Sequence, residues 1–79
     1  MPVPKHASEL DDLLLRVDYA SATINYYGHA ACGSLQASPV WRIRRETLDG
    51  DGRTTVIEYA DGNGSFDNSW SNRASIDYS

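Results

Sequence analysis

Apolar and polar residues alternate in short runs along most of the chain, the period of half-buried β-strands. The clearest pair of runs is residues 40–48 (VWRIRRETL) and 54–60 (TTVIEYA), separated by DGDGR. Asp-Gly steps between alternating runs predict a β-hairpin, because glycine supplies the positive φ that a tight turn needs. Alternation places Trp41, Ile43 and Arg45 on one face of the first strand and Arg42, Arg44 and Glu46 on the other. On the second strand Thr55, Ile57 and Tyr59 share a face opposite Val56 and Glu58. Upstream, residues 22–31 (ATINYYGHAA) carry Thr23, Ile24, Tyr26 and Tyr27, types that suit a pleated, half-buried surface. A loop, CGSLQASP, separates this strand from the hairpin, with Gly33 and Pro39 as punctuation.

Residues 8–19 fit two patterns. Ser8 with Asp11 resembles a capping box, and Leu10, Leu13, Leu14 and Val17 recur at helical spacing. Leu13, Leu15, Val17 and Tyr19 also alternate with Leu14, Arg16 and Asp18, as in a strand. So short a helix is marginal without tertiary support. The expectation is a turn at 8–12 and a strand at 13–19, joined to the next strand by a tight turn at Ala20–Ser21. Past the hairpin, DGNGSFDNSWSNR is rich in turn formers. Phe66 and Trp70 stand four apart, which predicts one helical turn that pins both rings onto the sheet. Residues 74–78 (ASIDY) predict a last short strand with Ile76 and Tyr78 on one face. The whole reads as a mainly β protein: a small antiparallel sheet of about five strands, half-rolled or sandwich-like, with one short helical turn. Residues 1–12 are expected to be a flexible arm, with Pro2 and Pro4 favouring extended backbone, and residues 13–79 a single β-rich domain.

Length and charge narrow the function classes. A 79-residue chain buries only about 60% of its unfolded surface. One such core rarely supplies more than about 3–5 kcal/mol without a staple. Cys32 is the sole cysteine, so an internal disulfide is excluded and oligomerisation is the expected source of further stability. The net charge of -4 argues against nucleic acid as main partner, since phosphate binding needs a basic face. Arg42, Arg44 and Arg45 nevertheless make a local basic stripe. The plainer reading is a solvated face paired with acids; the functional one is contact with an acidic partner subunit. No apolar run approaches a membrane span, and MPVPKHASEL has no hydrophobic signal core, so synthesis in a cytoplasm is expected.

Catalytic chemistry has little to build on. His6 lies in the expected arm, and His29 alternates onto the face opposite Ile24 and Tyr26. Cys32 and His29 are three apart at a strand end, a poor geometry for a dyad, and no third orienting group accompanies them. No enzyme and no cofactor are expected. Asp61, Asn63, Ser65 and Asp67 present oxygens at alternate positions, as a calcium loop does. Phe66 replaces the required glycine and Asn72 the bidentate glutamate, so these are weak metal candidates and a turn of Asx type is the plainer reading. Aromatic residues are plentiful, and Tyr27 is the best one for an interface, because Tyr26 takes the inward position.

The stretch from Trp41 onward resembles a group of small proteins encoded in tailed-bacteriophage structural gene clusters. Their shared pattern is W-x-I-x-R/K, an acidic or glycine hairpin, Y/W-A-D-G, then F-D-x-x-W-x-x-R-A-S-L/I-x-Y. Trp41, Ile43, Arg44 or Arg45, Tyr59-Ala60-Asp61-Gly62, Phe66, Asp67, Trp70, Arg73, Ala74, Ser75, Ile76 and Tyr78 fit it. Leu15-Arg16-Val17-Asp18 and Tyr27-Gly28-x-Ala30 extend the likeness upstream, so it covers about residues 13–78. Cys32 stands where the group usually has proline, and Ser71 replaces a frequent acid. The resemblance supports a strand at 13–19. It implies a virion structural or assembly protein of a tail, baseplate, fibre attachment or head decoration, acting by protein–protein binding. Its partners would be other virion proteins and itself, not nucleic acid or membrane. It would be made in the host cytoplasm and carried in the virion. Trp41, Tyr59, Phe66, Trp70 and Arg73 would be structural anchors, Phe66 and Trp70 plugging the sheet and Arg73 reaching Asp67 or the sheet edge. Arg42, Arg44 and Tyr27 would be interface candidates. The alternative is a glycan- or host-surface-binding adhesion module that uses aromatic stacking.

Overall fold

The hairpin foretold by DGDGR organises the molecule, whose computed structural model describes residues 13–79. Strand β3 (Pro39–Leu48) turns back into β4 (Thr54–Tyr59) through a tip held by one side chain. Asp49 Oδ1 accepts the N–H groups of Asp51 and Arg53 at 2.9 and 3.0 Å, and Gly52 takes φ +82. Strands β1 (Leu13–Asp18) and β2 (Ile24–Ala31) precede it. All pairings are antiparallel, and the order is β1-β2-β3-β4. The mainly β, five-stranded antiparallel expectation therefore holds. The connection between β1 and β2 is longer than the tight turn expected at Ala20–Ser21. It spans 19–23, and Ser21 Oγ accepts from the N–H groups of Thr23 and Ile24.

The second half of the chain departs further. The fifth strand is not 74–78 but β5 (Asn68–Ser69), which pairs with the start of β3: Asn68 lies opposite Trp41 and Ser69 opposite Pro39. This pairing holds residues 68–69 extended, so no helical turn spans Phe66 and Trp70. A 3-10 helix instead begins at Trp70 and runs to Ser75. Beyond it, only the tail pairs with the sheet, through an Ala60–Tyr78 bridge and reciprocal backbone bonds between Tyr59 and Ser79. The expectations for residues 1–12 lie outside the described residues.

The core is one face of the sheet covered by this C-terminal segment. Tyr26, Ala30, Trp41, Ile43, Ala60 and Trp70 are buried, with Leu14, Ile24, Ile76 and Tyr78 packed against them. The Trp41 indole N–H is not left unsatisfied; it donates to the Leu35 carbonyl at 2.9 Å. The Trp41 and Trp70 rings lie 5.8 Å apart and tilted. Trp70 rests on Gly28, and the Arg73 guanidinium lies 4.7 Å over its ring. Phe66 does not join this plug: it is 46% exposed. Of the two routes expected for Arg73, the structure has the one to the sheet edge. Its Nε donates to Asp18 Oδ2 at 2.9 Å, across 55 positions of sequence. Both partners are partly buried, so the pair is worth about 1 kcal/mol. Asp18→Asn is expected to lower thermal stability by about that much, a shift of about 4–8 °C; a melting temperature equal to that of wild type contradicts the ion-pair account.

Candidate functional site

The other face of the sheet has no covering element among the described residues. Strand alternation decides what it shows. β1 contributes Leu15 and Val17, β2 contributes Asn25, Tyr27 and His29, β3 contributes Arg42, Arg44 and Glu46, and β4 contributes Ile57 and Tyr59. Leu15 is 51% and Ile57 50% exposed, one on each edge strand. The centre is polar and aromatic, the margins aliphatic.

The register builds the centre. Tyr27 lies opposite Arg44 on β3, and Arg44 lies opposite Tyr59 on β4. The Arg44 guanidinium stands 5.0 Å over the Tyr27 ring, and that of Arg42 stands 5.1 Å over the Tyr59 ring. Arg42 also donates to the Tyr59 hydroxyl at 3.1 Å. Each cation is thus held against a ring, which limits the side-chain freedom lost when a partner binds.

Glu46 fixes one end of the array. Its Oε1 accepts from the Tyr27 hydroxyl at 2.7 Å and from Asn25 Nδ2 at 2.9 Å, and its Oε2 accepts from Thr54 Oγ1. These bonds, that of Thr54 first, hold the Glu46 carboxyl below its ordinary value of 4.5. The same bond to Glu46 is the main cause that raises the Tyr27 phenol above 10.0. Tyr27 therefore stays a neutral donor across the physiological range.

His29 reports the field of this face. Burial first, then the charges of Arg44 and Arg42, push its imidazole below 6.5. A protonated His29 is less tolerated in the folded chain than in the unfolded one. Its contribution to stability is complete above pH 6.5 and is lost as pH falls through that value, because the unfolded state takes up the proton first. The urea midpoint is expected to drop over that window, and His29→Gln to remove the drop. A drop of equal size in the variant contradicts this. Glu46 acts in the same direction at lower pH, below its ordinary value of 4.5, so the two windows are separable.

The interface candidates Arg42, Arg44 and Tyr27 all lie on this face, and Arg44 and Tyr27 are in contact. Tyr59, expected as an anchor, is here too, half-buried as the ring beneath Arg42. Trp41, Trp70 and Arg73 belong to the covered side. Glu46 and His29 were missing from the expected site; only the strand register shows what they touch. Asp61, Asn63 and Ser65 lie in a turn of the Asx kind, and Asp67 stands outside it, its Oδ1 accepting from Asn68 Nδ2. Ser65 N–H donates to Asn63 Oδ1, and Asn63 Nδ2 approaches the Asp61 carbonyl, with Asp61 itself at φ +57. Among the described residues no three acidic, histidine or cysteine side chains gather at metal-binding distance. Gly64 of this turn lies close to the Arg42 side chain, which places the turn at the rim of the open face.

Comparison with protein-family models, with curated proteins and with solved structures finds no match to this chain.

Proposed function

We propose that this chain is a structural or assembly protein of a tailed-bacteriophage particle, in its tail, baseplate, fibre attachment or head decoration. It is made in the host cytoplasm and carried in the virion. It works by binding other virion proteins and copies of itself, without catalysis and without nucleic acid or membrane as partner. The observation that supports the binding role is the open face. A chain of net charge -4 holds two arginines there, each fixed on a tyrosine, inside aliphatic margins. Arginine and tyrosine are the residues enriched at protein interfaces and at their energetic centres. The phage assignment rests on the pattern that runs from Trp41 to Tyr78. The adhesion alternative asks Tyr27 to stack on a sugar, but Arg44 already occupies a face of that ring, which favours a protein partner with acidic groups.

Mass spectrometry of purified particles is expected to find the chain in many copies. Particles that lack it contradict the proposal. The double change Arg42→Glu, Arg44→Glu is expected to abolish incorporation while costing about 2 kcal/mol of fold stability, from the two cation–π contacts and the Arg42–Tyr59 hydrogen bond, and thermal melting checks that the variant folds.

A further inference from the structure

A groove of about 400 Å³ runs beside the outer edge of β1. One side is the run Leu15–Asp18; the other is Gln36, Trp70 and Arg73. Among the described residues β1 pairs only with β2, and within them alternate residues of its outer edge turn N–H and C=O groups without a backbone partner toward this groove. Such an edge is a template for another strand.

We propose that the occupant is β1 of a second copy, paired antiparallel about a two-fold axis at Val17. This deepens the assembly reading, on which it rests, by naming one partner as the chain itself. Charge complementarity selects a single register. With Val17 opposite Val17, Arg16 falls opposite Asp18 and Asp18 opposite Arg16, one ion pair on each side of the axis. Leu15 falls opposite Tyr19 on the open face, again twice. Antiparallel partners share a face, so the covered faces of the two sheets join, as do the open faces. A two-fold at Leu15 leaves Arg16 opposite Leu14, and a two-fold at Arg16 sets like charges opposite each other.

The side chains are ready for this register. Among the described residues Arg16 forms no ion pair, and its buried Nε has no hydrogen-bond partner. Asp18 uses Oδ2 for Arg73, which leaves Oδ1 for a second guanidinium. Tyr19 is 76% exposed and Leu15 and Val17 are open beside it, three apolar side chains in a row at the edge. Pairing covers that row and turns two four-stranded meanders into one continuous sheet, an isologous contact that closes on itself. The two arginine-tyrosine arrays then lie on one surface, doubled by the same axis.

The test uses the full chain in solution, with mass measured by sedimentation or light scattering. The wild type is expected to dimerise. Val17→Lys and Val17→Glu place like charges at the axis, and each is expected to weaken self-association by at least about tenfold. A 1:1 mixture of the two is expected to regain the dimer, because lysine then meets glutamate. Val17 lies on the open face, and thermal melting checks that both variants fold. Restoration in the mixture is peculiar to the register centred on Val17. A wild type that is monomeric up to about 100 μM overturns the proposal, and so does a dimer that both variants leave intact. A monomer whose β1 amides resist hydrogen exchange along the outer edge also overturns it, and assigns the groove to residues 1–12 of the same chain. Absence from particles sinks the assembly reading alone, whereas a solution monomer sinks this pairing alone.

Discussion

Replacing Trp70 with alanine is expected to cost about 3–5 kcal/mol, which is comparable with the whole stability of a core this size. The reason is position rather than size alone. Trp70 is the first residue of the 3-10 helix and the single buried side chain of that helix. It lies on Gly28 on one side and under Arg73 on the other, and Arg73 in turn holds Asp18 at the end of β1. Removing the indole takes away the seat of that stack and opens the Trp41 ring to water. Thermal denaturation followed by circular dichroism is expected to show a chain largely unfolded at room temperature. A cooperative transition within a few degrees of wild type contradicts the placement of Trp70 at the centre of the core.

The second large effect comes from adding one carbon. Gly28 lies opposite Ile43 in the register, with ordinary strand conformation, so its lack of a side chain is a matter of space and not of φ. A Cβ there would stand 2.5 and 2.7 Å from Cε3 and Cζ3 of Trp70, and 3.1 Å from Trp41. Two rings cannot both retreat in a packed interior. Gly28→Ala is expected to cost about 1–3 kcal/mol, although alanine is otherwise the better strand residue. At about 4–8 °C per kcal/mol for a domain this small, the shift is easily read. The diagnostic is a double-mutant cycle. In a Trp70→Leu background, Gly28→Ala is expected to cost at least about 1 kcal/mol less than in wild type. Strict additivity contradicts the contact.

What the sequence made legible follows a physical line. The β3–β4 hairpin was readable because its causes are local: Asp-Gly at the tip and alternation on either side. Tyr26 inward and Tyr27 outward followed from the same alternation. Phe66 and Trp70 show the opposite case. Their spacing is that of a helical turn, but Asn68 and Ser69 are taken by the start of β3, some 27–30 positions earlier, and that distant pairing holds the segment extended. Phe66 is thereby turned to the surface. Ser75 similarly ends a 3-10 helix rather than opening a strand, and only the tail from Asp77 reaches β4 and its extension. Arg73 carried a correct hint of a partner at the sheet edge, but nothing local points to Asp18. The open face was half legible. Alternation put Arg42, Arg44 and Glu46 together; the stacking of each arginine on its own tyrosine, and the three donors on Glu46, required the register of four strands.

The proposed docking of the open face in a particle is tested most directly by competition during assembly. Wild type and the Arg42→Glu, Arg44→Glu double variant, co-produced in infected cells, are counted by quantitative mass spectrometry in the lysate and in purified particles. The arginine-tyrosine array predicts that particles are enriched in wild type by at least about tenfold over the lysate, the effect of losing two central charged contacts. Particles carrying the two chains in the lysate ratio would contradict it.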